Sequence, residues 1–180
     1  GAPAQPCVTV GQKVCVGTTI GQPNGFISSA VHSSVSGIVK KIDLFPHPVL
    51  SKALAIQIET DATDERDPSL SPAPAPEACS SEEIIQIVKA AGIVGLGGAA
   101  FPTHVKLAPP PAKKIDTVII NGAECEPYLT CDHLLMLYSP VDVIRGALLI
   151  MKATGAQRGI IGVEANKMDA FEVLASKIRL

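Results

Sequence analysis

Gly92-Ile93-Val94-Gly95-Leu96-Gly97-Gly98-Ala99-Ala100-Phe101-Pro102-Thr103-His104-Val105-Lys106 is the stretch on which the reading of the fold turns. Glycines at this density leave backbone N–H groups bare and no Cβ atoms in the way, which is what close approach of a phosphate needs. Lys106 follows eight residues after the last of these glycines and supplies a cation. The loop reads either as a phosphate cradle with a cationic clamp or as a helix C-cap glycine running into a turn. What precedes it decides the parent fold. Ser80 or Ser81 followed by Glu82-Glu83 is a helix start, and Ile84-Ile85, Ile87-Val88 and Ala91 recur with helical spacing until Gly92 ends the run. A helix therefore leads into the glycines, whereas the dinucleotide fingerprint of the Rossmann fold requires a strand there.

Downstream, Thr103 is placed to cap a short helix through Leu107, closed by Pro109-Pro110-Pro111. Ile115-Asp116-Thr117-Val118-Ile119-Ile120 is a β-branched run of the kind that is buried on both faces of a parallel sheet. Its C-terminal end delivers Asn121-Gly122-Ala123-Glu124-Cys125-Glu126-Pro127-Tyr128. Ligands of open α/β sheets bind beyond the carboxyl ends of strands, so the polar side chains here are site candidates. Glu124 and Glu126 could hydrogen-bond a sugar, a ring imide or a lysine, or simply lie in a solvated turn. Ser139-Pro140 opens a helix through Met151 that stops at Gly155; Gly159 to Ala165 reads as a strand and Asp169 to Ile178 as a helix. The expected order is α, loop, α, β, α, β, α, with fewer strands than a doubly wound domain normally has.

Upstream, short β-type runs alternate with turns: Val8 to Val10, Val14 to Val16, Thr18 to Ile20, Ser29 to Ile42 and Ala53 to Glu59. Such short runs describe a small all-β barrel or sandwich. Their order resembles the barrel-sandwich hybrid, or hammerhead, of lipoyl and biotinyl carrier domains. Carriers of that class place a modified lysine after a Glu-Thr-Asp hairpin, and here Glu59-Thr60-Asp61 runs into Ala62. The expectation is a carrier-like fold without carrier chemistry. His32, on an alternating strand, and His47, in the turn Phe45-Pro46-His47-Pro48, read as structural. From Asp61 to Ser81 proline and small polar residues favour an extended tether, and they equally permit an ordered strap on a neighbouring domain. The expected division is a barrel module at 1–60, a Pro-rich linker at 61–81 and the N-terminal part of an α/β domain at 82–180.

Composition narrows the function classes. Of 180 residues, 47% are hydrophobic but only 3% aromatic, with no Trp, so the core must be built from Val, Ile, Leu and Ala. A net charge of −2 leaves no electrostatic footprint for nucleic acid. No run of about 20 apolar residues occurs and no signal-peptide pattern opens the chain, so direct membrane insertion is not expected. Gly1 stands where an initiator Met would, and the chain reads as a portion of something longer. Cys7, Cys15, Cys79, Cys125 and Cys131 are odd in number, irregularly spaced and without a C-x-x-C, which favours reduced thiols over disulfides, metal ligands or cluster ligands.

Two motifs in one segment carry a family resemblance. Gly95-Leu96-Gly97-Gly98-Ala99-Ala100-Phe101-Pro102-Thr103-His104-Val105-Lys106 resembles the FMN-loop signature of the flavoprotein subunit of respiratory NADH dehydrogenase and its relatives. Ile119-Ile120-Asn121-Gly122-Ala123-Glu124-Cys125-Glu126-Pro127-Tyr128-Leu129-Thr130 resembles the second motif as it is written in the RnfC subunits of Rnf ion-translocating electron transport complexes, and the N-terminal hammerhead matches the same arrangement. The resemblance implies that the backbone of Gly95, Gly97 and Gly98 approaches FMN and that Lys106 neutralises its phosphate. It places Asn121, Glu124 and Cys125 at the ribityl chain or ring, and Phe101 and Glu126 at the nicotinamide nucleotide. There are departures. Ala100 stands where the family commonly has a third glycine, and Ala123 and Cys125 replace an acidic and a hydroxyl residue of the respiratory subunit.

The fold expected from the resemblance is mixed α+β: a β-rich barrel-sandwich hybrid followed by a partial α/β FMN-binding domain. The implied activity is electron transfer between NADH and iron–sulfur centres through FMN, with no side chain needed as acid or base. The [4Fe–4S] clusters belong to a C-terminal part outside this chain, and no metal ligands are expected within it. Implied partners are NADH and other subunits of a membrane-bound complex, at the cytoplasmic side of a bacterial membrane. Because the flavin domain reads as cut short, the fragment alone is expected to bind FMN weakly or not at all. Two alternatives stay open: an NADH-dependent flavoprotein such as a cobalamin reductase, and a non-redox docking module for partner subunits.

Overall fold

The computed structural model describes residues 1–70, 74–76, 78–96, 98–110 and 112–178. In chain order the elements are β1 (Gln5–Pro6), β2 (Lys13–Val14), β3 (Thr19–Gln22), β4 (Val31–His32), β5 (Gly37–His47), β6 (Ser51–Thr60), α1 (Ser81–Ala90), α2 (Thr103–Leu107), β7 (Thr117–Asn121), α3 (Cys131–Tyr138), α4 (Pro140–Thr154), β8 (Arg158–Gly162) and α5 (Met168–Ile178). They form two compact units: Gly1–Pro74 with Gln86–Lys106, and Ala75–Ile85 with Leu107–Leu180. The second half of α1 and the glycine loop thus group with the barrel in the first unit.

The first unit holds two antiparallel sheets, β1-β3-β4 and β2-β5-β6. Val8, Val14, Ile20 and Val39 are buried between them, with Ile42, Ile56 and Ile58 packed around. Each fully buried Val or Ile contributes about 1.5–3 kcal/mol, and a core without aromatics depends on such aliphatic residues. The expected run at Val8 to Val10 forms no strand, and Ser29 to Ile42 splits into β4 and β5 at the serine turn. β5 and β6 pair from Gly37↔Thr60 to His47↔Ser51. His47 closes that hairpin: its Nδ1 accepts from the amides of Val49 at 3.2 Å and Leu50 at 3.1 Å.

Of the two readings of the segment after β6, the ordered strap applies to its first part. Val16 forms a parallel bridge with Arg66, donating to Glu65 O at 2.8 Å and accepting from the Asp67 amide at 2.9 Å. Ser36 Oγ donates to Asp61 Oδ1 at 2.6 Å, and Thr18 Oγ1 donates to Asp67 Oδ2 at 2.5 Å. These carboxylates decide the path, because each satisfies a hydroxyl on the barrel.

Helix α1 begins with a reciprocal capping box. The Glu83 amide donates to Ser80 Oγ at 3.2 Å, and the Ser80 amide donates to Glu83 Oε2 at 2.6 Å. It ends where expected. Gly92 has φ +67°, its N–H meets Lys89 O at 3.1 Å, and the Ile93 N–H meets Val88 O at 3.3 Å. That pair of bonds is a Schellman closure, which needs a left-handed residue. The same glycine lies against the barrel: a Cβ built on it overlaps Ala30 O and comes within 3.5 Å of His32 Cε1.

In the second unit β7 and β8 run parallel, registered from Thr117↔Arg158 to Asn121↔Gly162. Met136, Ala170 and Leu174 form the helical core, with Leu137, Val143, Ile144, Ile161 and Val163 around it. The expectation that β7 is buried on both faces is not met. Val118 is 8% exposed but Ile119 is 69% exposed, and its register partner Ile160 is 41% exposed. Paired residues of a parallel ladder face the same side, and among the described residues the helices cover only the Val118 face. The structure also has two helices where one was expected. α3 was missed, and it meets α4 at a 99° bend at Ser139, ahead of Pro140. Among the described residues, no single helix is long and apolar enough to cross a membrane.

Candidate functional site

The glycine loop is closed on itself by backbone bonds. The Gly95 amide donates to Phe101 O at 2.9 Å, the Thr103 amide donates to Ile93 O at 2.9 Å, and Val94 bridges Pro102. Closure turns α2 back over the loop start, so that Lys106 Nζ lies 2.8 Å from where a Cβ on Gly95 would sit. Any side chain at position 95 would displace that amine. Among the described residues no carboxylate pairs with Lys106, and the residue is exposed. Gly98 has φ +113° with open space on its Cβ side, and Phe101 is 38% exposed. Ala100 has φ +46°, so the methyl sits on a left-handed backbone that favours glycine. Gly97 lies outside the described residues. Among the described residues, then, an ammonium without an anionic partner lies beside bare backbone, an arrangement suited in charge to an anion such as a phosphate.

The second motif lies at the C-terminal ends of β7 and β8. Asn121 is exposed, and its Oδ1 accepts the Ala123 amide at 3.1 Å, an Asx turn that starts the loop. Glu124 points inward, with its side chain 4% exposed. Its Oε1 accepts from the Cys131 thiol and the Asp132 amide, each at 3.0 Å, and its Oε2 accepts from the His133 amide and Lys167 Nζ, each at 3.3 Å. Glu124 thereby caps α3 from a distance, taking N–H groups that Thr130 leaves without a side-chain cap. The Asp132 amide foremost, then the Cys131 thiol, the His133 amide and Lys167, hold its carboxyl down at about 2. In turn Glu124 raises the Cys131 thiol. Lys167, 9% exposed, also pairs with Glu164 at 2.9 Å, a bond that leads the rise in its pKa.

The predicted residues therefore divide. Gly95, Phe101 and Lys106 come together in the first unit; Asn121, Glu124, Cys125 and Glu126 share one loop of the second. Cys125 and Glu126 are exposed there, while Glu124 is already fully engaged. Sequence reasoning missed Lys167, Glu164 and the contact of His133 Nε2 with Asp169 at 2.9 Å. No spacing signal marks them, because they meet Glu124 and α3 only through folding of the β8–α5 connection. Donor atoms of Glu124, Cys131 and Asp132 lie within 4.8 Å of one another. The Cys131 proton, spent on Glu124, works against thiolate ligation.

Residues 88–179 match the family described as the Nuo51 FMN-binding domain, and residues 1–63 match the RnfC barrel-sandwich hybrid domain. Among curated relatives, the C subunit of the Na(+)-translocating ferredoxin:NAD(+) oxidoreductase complex of Acetobacterium woodii is 50% identical over 178 residues, covering 99% of this chain and 40% of the relative. The C subunit of the proton-translocating ferredoxin:NAD(+) oxidoreductase complex of Clostridium ljungdahlii is 44% identical, covering 97% of this chain and 38% of the relative. Its counterpart in the ion-translocating oxidoreductase complex of Pseudomonas aeruginosa is 43% identical, covering 99% of this chain and 23% of the relative. The chain thus spans at most 40% of the length of these three relatives. With an RnfC barrel-sandwich hybrid domain followed by a Nuo51 FMN-binding domain, and with these relatives along nearly all of its length, the chain belongs to the RnfC family.

Proposed function

We propose that this chain is the flavin- and nucleotide-binding end of an electron-transfer subunit in a membrane-associated, ion-translocating complex that exchanges electrons between NADH and iron–sulfur centres. The observation that carries the reading is the Lys106 ammonium, free of carboxylate partners among the described residues and held against the bare backbone at Gly95. FMN, when bound, supplies the redox chemistry, exchanging electrons in pairs with a nicotinamide and singly with clusters. The chain's own residues hold and orient. Lys106 binds the phosphate, Gly95, Gly97 and Gly98 let the backbone approach, and Asn121 and Cys125 face the ribityl chain or ring. Phe101 and Glu126 take the nicotinamide nucleotide. Glu124 belongs with Asn121 and Cys125 at the ribityl chain or ring, and it also anchors their loop. The [4Fe–4S] clusters, the partner subunits and the attachment to the cytoplasmic face of the membrane belong to the longer protein. The proposed domain limits are 1–60, 61–81 and 82–180.

Flavin binding by the full-length protein tests this. Lys106→Ala should weaken FMN binding by about tenfold or more, the loss of one charge-assisted bond. Equal affinity in variant and wild type would remove the phosphate role. A docking role for the barrel is favoured by one feature: the β5–β6 hairpin tip exposes Val49 at 83% and Leu50 at 66%. Retention of the partner subunits by a hairpin-tip variant, Val49→Ser with Leu50→Ser, would count against it.

A further inference from the structure

The two strands of the second unit end side by side, and the chain leaves each of them in a loop. Beyond the last register pair, Asn121↔Gly162, the Gly122 amide donates to Gly162 O at 2.8 Å. A Cβ built on Gly122 would lie 2.8 Å from that oxygen and 3.0 Å from Met136 Sδ, so the loop after β7 passes between β8 and α3 with no room for a side chain. The loop after β8 turns at Glu164, whose carbonyl accepts the Lys167 amide at 2.9 Å, and α5 follows. Ala170 and Leu174 of α5 share a core with Met136 of α3, which brings Lys167 to the same end of the helix pair as Glu124.

There the Lys167 amine is 3.3 Å from Glu124 Oε2 and 2.9 Å from Glu164 Oε2, and the side chains of Lys167, Glu124 and Glu164 are 11%, 4% and 26% exposed. Glu164 is held below the ordinary carboxylate range by Lys167 first and also by the Glu124 backbone amide, so it bonds the main chain of the residue whose side chain Lys167 holds. A buried ion pair is a poor source of stability, since apolar side chains of like volume do as well, but removal of one partner strands the other. What the pair supplies instead is one fixed conformation. The conformation at stake is that of the loop from Asn121 to Glu126. Asn121 Oδ1 fixes its start through the Ala123 amide, and the Leu129 amide closes a turn onto Glu126 O at 3.2 Å. Glu124 is the anchor between those two points, with the exposed Cys125 and Glu126 next to it. Charge matters as well: without Lys167, Glu124 and Glu164 would remain with no ammonium between them.

We propose that Lys167 is a positioning residue for this loop: it acts through Glu124 to hold Cys125 and Glu126 in place, and its charge offsets that of Glu124 beside the flavin. The proposal rests on the reading that the loop meets FMN at the ribityl chain or ring. The Lys167 ammonium is bonded to the two carboxylates and acts on the cofactor through them. The sign of the charge effect is fixed. Reduction adds electron density to the ring, and a nearby carboxylate stripped of its cation opposes that gain. Loss of Lys167 therefore lowers the flavin's midpoint potential, and loss of the Glu124 charge raises it.

The test uses the full-length protein loaded with FMN at neutral pH, read by flavin affinity and by the flavin midpoint potential in a spectroelectrochemical titration. Lys167→Met should weaken FMN binding about threefold to tenfold, part of one charge-assisted bond being passed on to the loop, and should lower the potential. Lys167→Arg, which keeps the charge, should restore the potential. Glu124→Gln should raise it, and Lys167→Met combined with Glu124→Gln should bring it back toward the wild-type value. A residue that only supports the fold does not reverse the sign between two single variants, so potentials that move the same way in both, or in neither, overturn the proposal. If Lys167→Met alone does not fold, the step from Glu124→Gln to the double variant reads the same lowering, and no lowering there overturns the proposal. In the Glu124→Gln background Lys167→Met should cost less than about twofold in FMN affinity; an equal cost in both backgrounds overturns action through Glu124. Asn121→Ala separates this proposal from the reading beneath it. Weakened FMN binding in Asn121→Ala, with wild-type affinity and potential in Lys167→Met, overturns the proposal alone. Wild-type affinity and potential in every variant, Asn121→Ala included, removes the loop from the flavin site and overturns both.

Discussion

Replacing Gly92 with alanine perturbs the point where α1 ends, the glycine loop begins and the barrel touches both. Two costs add. The residue sits at φ +67°, where a Cβ costs roughly 1–2 kcal/mol, partly offset by about 0.4–1 kcal/mol from a less flexible unfolded chain. The new methyl also overlaps Ala30 O, a backbone atom next to β4 that cannot rotate away. Relief demands movement of α1 or of the strand, an overpacking cost of about 1–3 kcal/mol. The sum is a loss of roughly 1–5 kcal/mol. With a urea slope of about 2 kcal/mol/M, the unfolding midpoint should fall by about 0.5–2.5 M. Gly25→Ala serves as the control in the same unit. Its φ is +92° with nothing within 4 Å of the added Cβ, so it should show only the backbone part. Circular dichroism in urea reads both variants. A Gly92→Ala midpoint no lower than that of Gly25→Ala would refute the clash and, with it, the barrel's role in seating the loop.

Two further outcomes follow from the same geometry. Ala100→Gly removes a Cβ from a left-handed backbone at φ +46° and should stabilise the folded chain by about 0.5–1 kcal/mol, read as a higher urea midpoint; a lower midpoint would show that the methyl is packed. Acid unfolding should expose Glu124. Its folded pKa of about 2 lies below the ordinary 4.5, so its contribution is full above the ordinary value and is lost as pH falls from there toward the folded one. Glu124→Gln should therefore lower the thermal midpoint near neutral pH and converge with wild type in strong acid; a constant difference across that window would assign the effect to packing. Lys167, whose pKa is raised, stabilises below its ordinary pKa, so that share persists at neutral pH and fades only in strong base.

Much of the fold is legible where the chain's own local rules decide it. Ser80, Glu83 and Gly92 mark both ends of α1, because capping and left-handed closure are set by residues close in sequence. Thr103 to Leu107, Thr117 to Asn121 and the two final elements appear where periodicity and β-branching place them. α3 escaped notice for a physical reason: Thr130 offers no side-chain cap, and the helix start is satisfied by Glu124 from the preceding loop. Glu124, which the resemblance places at the ribityl chain or ring, shows in the sequence only as a carboxylate beyond a strand end. Folding gives it four partners, one of them Lys167 from the far side of β8.

By itself, the sequence determined the mixed β-then-α/β order, the helix-first glycine loop, the absence of a carrier lysine after Asp61 and the family resemblance, since each rests on residue type at short spacing. Tertiary structure alone decided that the strap from Asp61 to Asp67 lies on the barrel, that Gly92 packs on Ala30, that Lys106 turns back to Gly95, and that Lys167 reaches Glu124. Those pairings join residues from about 11 to more than 60 positions apart, a separation over which no periodicity operates and only burial and hydrogen-bond satisfaction choose partners.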